Sequence, residues 1–164
     1  MNPKRLIWSL AIGLMALCAS ARSRTEAVEL YDDYFRAATI AVEFEQQADT
    51  IAYWLAVTYE EGDIRVFENS ELTFVMRDRS KVTVKTEHRV RRNDVLVRRF
   101  PDYTMRYVTC RYPIDERQLM RLLAMETRRV DVTVSRGRFS RYVRGLPLRL
   151  ARALDRMNIM SNGG

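Results

Sequence analysis

Residues 103–143 read YTMRYVTCRYPIDERQLMRLLAMETRRVDVTVSRGRFSRYV, and the changes of rhythm within this stretch decide the fold. Residues 105–111 mix Met, Tyr, Val and Thr as a half-buried strand does. Tyr112-Pro113 is expected to end that strand, because proline offers no amide to a ladder. A helix start follows. Asp115 can cap the amides of the first turn, and Gln118 three residues later can reach back to the Asp115 amide, the reciprocal capping box. Ile114 and Leu119 flank that cap as a hydrophobic staple, and Leu119, Leu122 and Leu123 form one apolar stripe. Val130, Val132 and Val134 then alternate with Asp131 and Thr133, so the period falls from that of a helix to that of a strand. In Ser135-Arg136-Gly137-Arg138, Gly137 can adopt the positive φ of a hairpin loop, with 139–143 as the return strand.

Working outward, Gly145 breaks the chain and Pro147 suits a first helical turn, where its missing amide has no partner to lose. Leu146, Leu150, Leu154 and Met157 then share one face of a closing helix, and 161–164 reads as a frayed tail. Toward the amino end, alternation predicts strands over 35–44, 51–59, 64–67, 72–76, 82–84 and 95–97. Residues 46–50, 61–63, 69–70, 77–80, 93–94 and 101–102 are the connections. The polar stretch 22–34 reads as a short helix or an irregular lead-in. The loops are too short for parallel crossovers until the helix at Asp115. The expected class is therefore α+β: a meandering, mainly antiparallel sheet with one inserted helix and a carboxy-terminal helix.

Lys4 and Arg5, the apolar run 6–17 and Ala19-Ser20-Ala21 match the three zones of a secretory signal peptide, expected over residues 1–21. Residues 22–164 are then one α+β domain that is exported, periplasmic or extracellular, with no transmembrane helix after cleavage. An uncleaved amino-terminal membrane anchor is the alternative, although the run is shorter than the roughly 20 residues a span needs. Leu17 occupies the place before Cys18 where a lipid-modified cysteine has a small residue. Removing the leader leaves Cys110 without an internal disulfide partner, so it reads as a small buried hydrophobe. Charge is polarised along the chain: residues 26–71 hold twelve carboxylates and only Arg36 and Arg65, whereas 72–164 hold 22 basic and nine acidic residues.

Reactive constellations are sparse. His88 is the one histidine, so neither a histidine-based metal cluster nor a triad independent of His88 can be assembled, and it reads as a solvated neighbour of Glu87 and Arg89. Asp32-Asp33 and Glu60-Glu61 read as solvated pairs rather than an acid and a base. The six glycines are scattered and build no phosphate-cradling loop. No metal and no cofactor are expected. The feature that invites a binding role is the basic surface. Lys81, Lys85, Arg89, Arg91, Arg92, Arg98, Arg99 and the run Arg128, Arg129, Arg136, Arg138, Arg141, Arg144 compose it, with Phe139 and Tyr142 interleaved, and Lys81, Lys85, Arg89, Arg91, Arg92, Arg136, Arg138 and Arg141 are the candidate contacts.

The run Tyr112-Pro113-Ile114-Asp115 through Leu123, followed by a valine-rich strand and the Ser-Arg-Gly-Arg hairpin, resembles a group of small exported bacterial domains of unassigned function. That resemblance implies antiparallel hairpins behind a signal peptide and supplies no catalytic or binding residue. The leading expectation is a non-enzymatic exported domain that binds a protein or an anionic envelope component through an edge strand or its basic face, and the split charge also permits self-association. The leader argues against nucleic acid as the natural partner. The rivals are a polyanion or nucleic-acid binder using the arginine-rich face, and a small hydrolase using His88.

Overall fold

The computed structural model describes residues 22–33, 36–47, 49–61, 65–66, 69–86 and 95–162. The strands are β1 (Ser23–Arg24), β2 (Val28–Asp33), β3 (Arg36–Gln47), β4 (Thr50–Glu61), β5 (Glu71–Met76), β6 (Lys81–Lys85), β7 (Val95–Arg99) and β8 (Thr104–Ile114). Helix α1 (Glu116–Ala124) follows, then β9 (Thr127–Val134), β10 (Gly137–Tyr142) and α2 (Leu146–Asn162). The signal-peptide stretch, His88, Arg89, Arg91 and Arg92 lie outside the described residues.

The expected single meander is in fact two antiparallel sheets. In the first, β1 and β2 share the outer side of β3, followed by β4, β8 and β7; the second runs β10–β9–β5–β6. Mainly antiparallel strand with two helices agrees with the coarse expectation, with strand outweighing helix. Two layers are needed because the long strands each present a fully apolar face. Ala38, Ile40, Val42 and Phe44 on β3, Leu55, Val57 and Tyr59 on β4, and Val108, Cys110 and Tyr112 on β8 are all buried. They meet Leu72, Phe74 and Met76 on β5, Val82 and Val84 on β6, and Val130 and Val132 on β9 in one continuous cluster. Each large side chain so buried is worth about 1.5–3 kcal/mol relative to exposure.

Helix α1 begins as its sequence dictates. The Gln118 amide donates to Asp115 Oδ1 at 2.7 Å and the Asp115 amide to Gln118 Oε1 at 3.2 Å. Leu119, Leu122 and Leu123 carry its buried stripe. Gly145 (φ 62°) and Gly137 (φ 111°) hold the left-handed conformations that precede α2 and open β10. Leu146, Leu150 and Leu154 bury α2 against the core.

Four local expectations are corrected. The described residues 22–33 of the expected lead-in are not helical or irregular: β1 and β2 follow the edge of β3, and between them the Thr25 amide donates to the Val42 carbonyl at 2.9 Å while the Val42 amide donates to Thr25 Oγ1 at 3.0 Å. Pairing with a neighbour overrides weak local propensity here. Strand β8 runs through Pro113, which pairs with Trp54 at the side of the sheet where no described strand needs its amide. The connection at 46–50 shrinks to a tight turn closed by the Gln47–Thr50 pair. Helix α2 continues through Asn162 where a frayed tail was expected. The short strand expected at 64–67 lies partly outside the described residues, which hold a bridge from Val66 to Val134.

Candidate functional site

The described members of the basic set do not converge. Lys81 and Lys85 are exposed on β6, at one edge of the second sheet, and Arg136 and Arg138 lie at the opposite edge. Cross-strand pairing puts Lys85 beside Glu71 and Arg138 beside Thr133 on the outer face. Arg138 reaches Glu71 Oε1 at 3.2 Å, and on the same face Arg129 pairs with Asp131 at 2.9 Å. Arg141 pairs with Val130 on the other face, where its guanidinium stacks 3.9 Å over the Phe139 ring. The outer face is thus a mixed lattice of both signs.

Polar groups inside the molecule are built as struts. The buried Tyr112 hydroxyl shares hydrogen bonds with Ser70 Oγ at 2.6 Å and the Tyr59 hydroxyl at 2.8 Å, linking the first sheet to the start of β5. Burial raises both phenols well above their usual value of 10, so the chain is neutral. Glu43, 3% exposed, receives Arg111 Nε at 2.9 Å, Arg24 at 3.5 Å and Arg22 at 3.7 Å, and Arg22 also stacks 4.5 Å over Trp54. Glu61 accepts the Val66 amide at 2.8 Å and draws in Arg106 and Arg65. Among the described residues no group of three or more His, Cys, Asp or Glu is placed to hold a metal ion.

The sheet edges differ sharply in how they are finished. A β-edge presents unpaired amides and carbonyls, and proteins blunt it with charge, bulges or cover. Edge β6 carries Lys81 and Lys85, and Gln118 Nε2 donates to its Thr83 carbonyl at 3.3 Å. Edge β2 is bulged between Glu29 and Tyr31 and packs against α2, and Tyr31 leans on Phe139 of β10 with ring centroids 5.7 Å apart. Edge β10 is glycine-led and arginine-bearing.

Among the described residues strand β7 shows no bulge, and its charge is confined to Arg98 and Arg99 at its carboxyl end. It is the fifth column of the first sheet, whereas the second sheet has four strands, with β10 beside β2 and β6 beside β8. Pairing runs from Val95–Val108 to Arg99–Thr104, and the Phe100 amide donates to the Tyr103 carbonyl at 2.8 Å to close the hairpin. Leu96 and Val97 project to opposite faces and remain 53% and 50% exposed. Phe100 and Tyr103 are also exposed, and their rings stack at 4.6 Å with 18° between planes. Arg98 lies 5.5 Å from the Tyr107 ring centroid, and neither Arg98 nor Arg99 has an ion-pair partner among the described residues.

The chain matches no protein-family model, no curated protein and no solved structure. The β7 residues were readable as a strand, since Val95-Leu96-Val97 stands between turn signals. What pattern could not supply was their place at the end of the wider sheet, which depends on where the chain changes layers.

Proposed function

We infer that this chain is a non-enzymatic binding domain, working outside the cytoplasm, that recognises a protein partner by adding a strand to the β7 edge. The observation that carries the reading is the exposure of Leu96 and Val97 on opposite faces of an edge strand whose counterparts β2 and β6 are bulged or capped. A peptide strand laid against β7 gains main-chain hydrogen bonds for affinity, and side-chain contacts on both faces for selectivity. The basic n-region, apolar run and small-residue site at 1–21 support export. Among the described residues no helix is long and apolar enough to cross a membrane.

Site-resolved photo-crosslinking tests this reading. A photoreactive residue at position 96 or 103 of the full chain, expressed in its own cell, should yield one discrete adduct, whereas position 85 or 148 should yield none. Adducts at position 85 with none at 96 would move the interface to the lysine-bearing edge and defeat the proposal. Identification of the mature amino terminus tests the export half independently: an intact Met1 in a soluble cytoplasmic fraction would contradict it.

The polyanion reading draws weaker support, because Glu71 and Asp131 interrupt the cations of the outer face. Its mark would be a steep fall in heparin affinity with salt, scaling with the number of neutralised charges.

A further inference from the structure

We propose that the segment docking on β7 is extended and runs antiparallel to it, with two consecutive carboxylates followed by three apolar residues. This rests on the edge reading above and specifies its ligand. Successive β-residues face opposite sides, so Leu96 and Arg98 share one face with Tyr107, while Val95, Val97 and Arg99 share the other. The two exposed guanidiniums therefore sit one on each face at the carboxyl end of β7, next to the stacked Phe100–Tyr103 pair. A partner strand meets them in register only with acidic residues at two adjacent positions, one per face. Directly beyond, both faces turn apolar, and the partner must follow.

Direction follows from the sheet itself. Every strand pair among the described residues is antiparallel, and that geometry is the more stable per residue. An antiparallel strand meets Arg99 first and Val95 last, which gives the order acidic, acidic, apolar, apolar, apolar from its amino end. A second copy of β7 fits poorly. Pairing two copies about Val97 sets Arg98 against Leu96 and Arg99 against Val95, so no guanidinium gains a carboxylate and each abuts an apolar side chain. Nearby, Arg106 is committed to Glu61 at 3.4 Å, leaving Arg98 and Arg99 as the cations that select the partner.

The test is a fluorescence-anisotropy titration of the full chain with labelled peptides centred on Glu-Glu-Val-Ile-Val, Val-Ile-Val-Glu-Glu, Lys-Lys-Val-Ile-Val and Gln-Gln-Val-Ile-Val. The first should bind at least tenfold more tightly than the other three. The double variant Arg98→Glu/Arg99→Glu, whose substitutions are on the surface, should reverse the preference toward the lysine peptide. Methylation of alternate peptide amides should abolish binding in one of the two phases and spare it in the other, as expected when every second amide faces β7. Equal binding of all four sequences with methylation still blocking one phase would refute the acidic ligand and leave the edge reading standing. No binding by any peptide would refute both. A concentration-dependent dimer, dispersed by Leu96→Lys in sedimentation velocity, would identify a second copy as the occupant and overturn the proposal.

Discussion

Replacing Tyr112 by Phe removes one oxygen from the centre of the molecule and isolates two others. Its hydroxyl lies 2.6 Å from Ser70 Oγ and 2.8 Å from the Tyr59 hydroxyl, and all three side chains are buried. Each lost hydrogen bond is worth about 0.5–1.5 kcal/mol net, and a buried polar group left without a partner costs about 1–3 kcal/mol. Ser70 and Tyr59 are both stranded, while the ring keeps its packing, so the expected loss is about 2–4 kcal/mol. That is a large share of the about 5–15 kcal/mol that holds a typical domain folded. Urea unfolding followed by circular dichroism should show the midpoint falling with an unchanged slope. Tyr59→Phe removes a terminal member of the chain and should cost less, about 1–2 kcal/mol. The double variant should cost less than the sum of the two, since the second removal deletes a group the first had stranded. A loss below about 0.5 kcal/mol for Tyr112→Phe would refute the view that this hydroxyl chain ties the first sheet to β5.

Three further outcomes follow from the same structure. Burial holds Tyr59 and Tyr112 protonated above pH 10, and burial with the nearby Glu116 carboxylate pushes Tyr53 up to about 12. The unfolded chain releases these protons near pH 10 and the folded chain does not, so stability is complete below pH 10 and falls as pH rises from there toward 12; Tyr53→Phe should flatten this alkaline limb in pH-dependent urea midpoints. Asp115→Ala removes the α1 cap and should cost about 0.5–2 kcal/mol, with Asp115→Ser retaining most of it, and an unchanged melt would disprove the capping role. Glu43→Ala leaves three guanidiniums crowded on the first sheet and should cost about 2–4 kcal/mol, under the 3–5 kcal/mol of a fully buried pair because the arginines are 31–43% exposed; Glu43→Gln should recover part of that by chemical denaturation.

Local chemistry was legible where one short segment decides the outcome. Asp115 and Gln118 announce their cap, the three leucines of α1 their stripe, and Gly137 its turn, because each depends on residues within four positions. Alternation likewise revealed the buried faces of β4, β5, β6 and β9. Layering was not legible, since nothing local states that the chain leaves one sheet after Glu61 and returns to it by β7. The lead-in was misread for the same reason: Ser23 to Asp33 become strand only through a neighbour, β3, that local propensity does not include. The basic set illustrates a different limit. Its side chains alternate along strands, so Arg138 and Arg141, close in sequence, emerge on opposite faces and partner Glu71 and Phe139 separately. Candidate contacts chosen by charge alone therefore mixed surface lattice with core cover, whereas the exposed apolar pair on β7 carried no charge to draw notice.

Backbone amide exchange across β7 gives the most direct test of the strand-addition claim. In the isolated protein the outward amides of Val95–Arg99 should exchange far faster than those of β3 and β4, and saturating Glu-Glu-Val-Ile-Val peptide should protect alternate β7 amides while leaving β6 and β10 unchanged. Full protection of β7 without any ligand, or peptide-induced protection confined to β6 or β10, would contradict it.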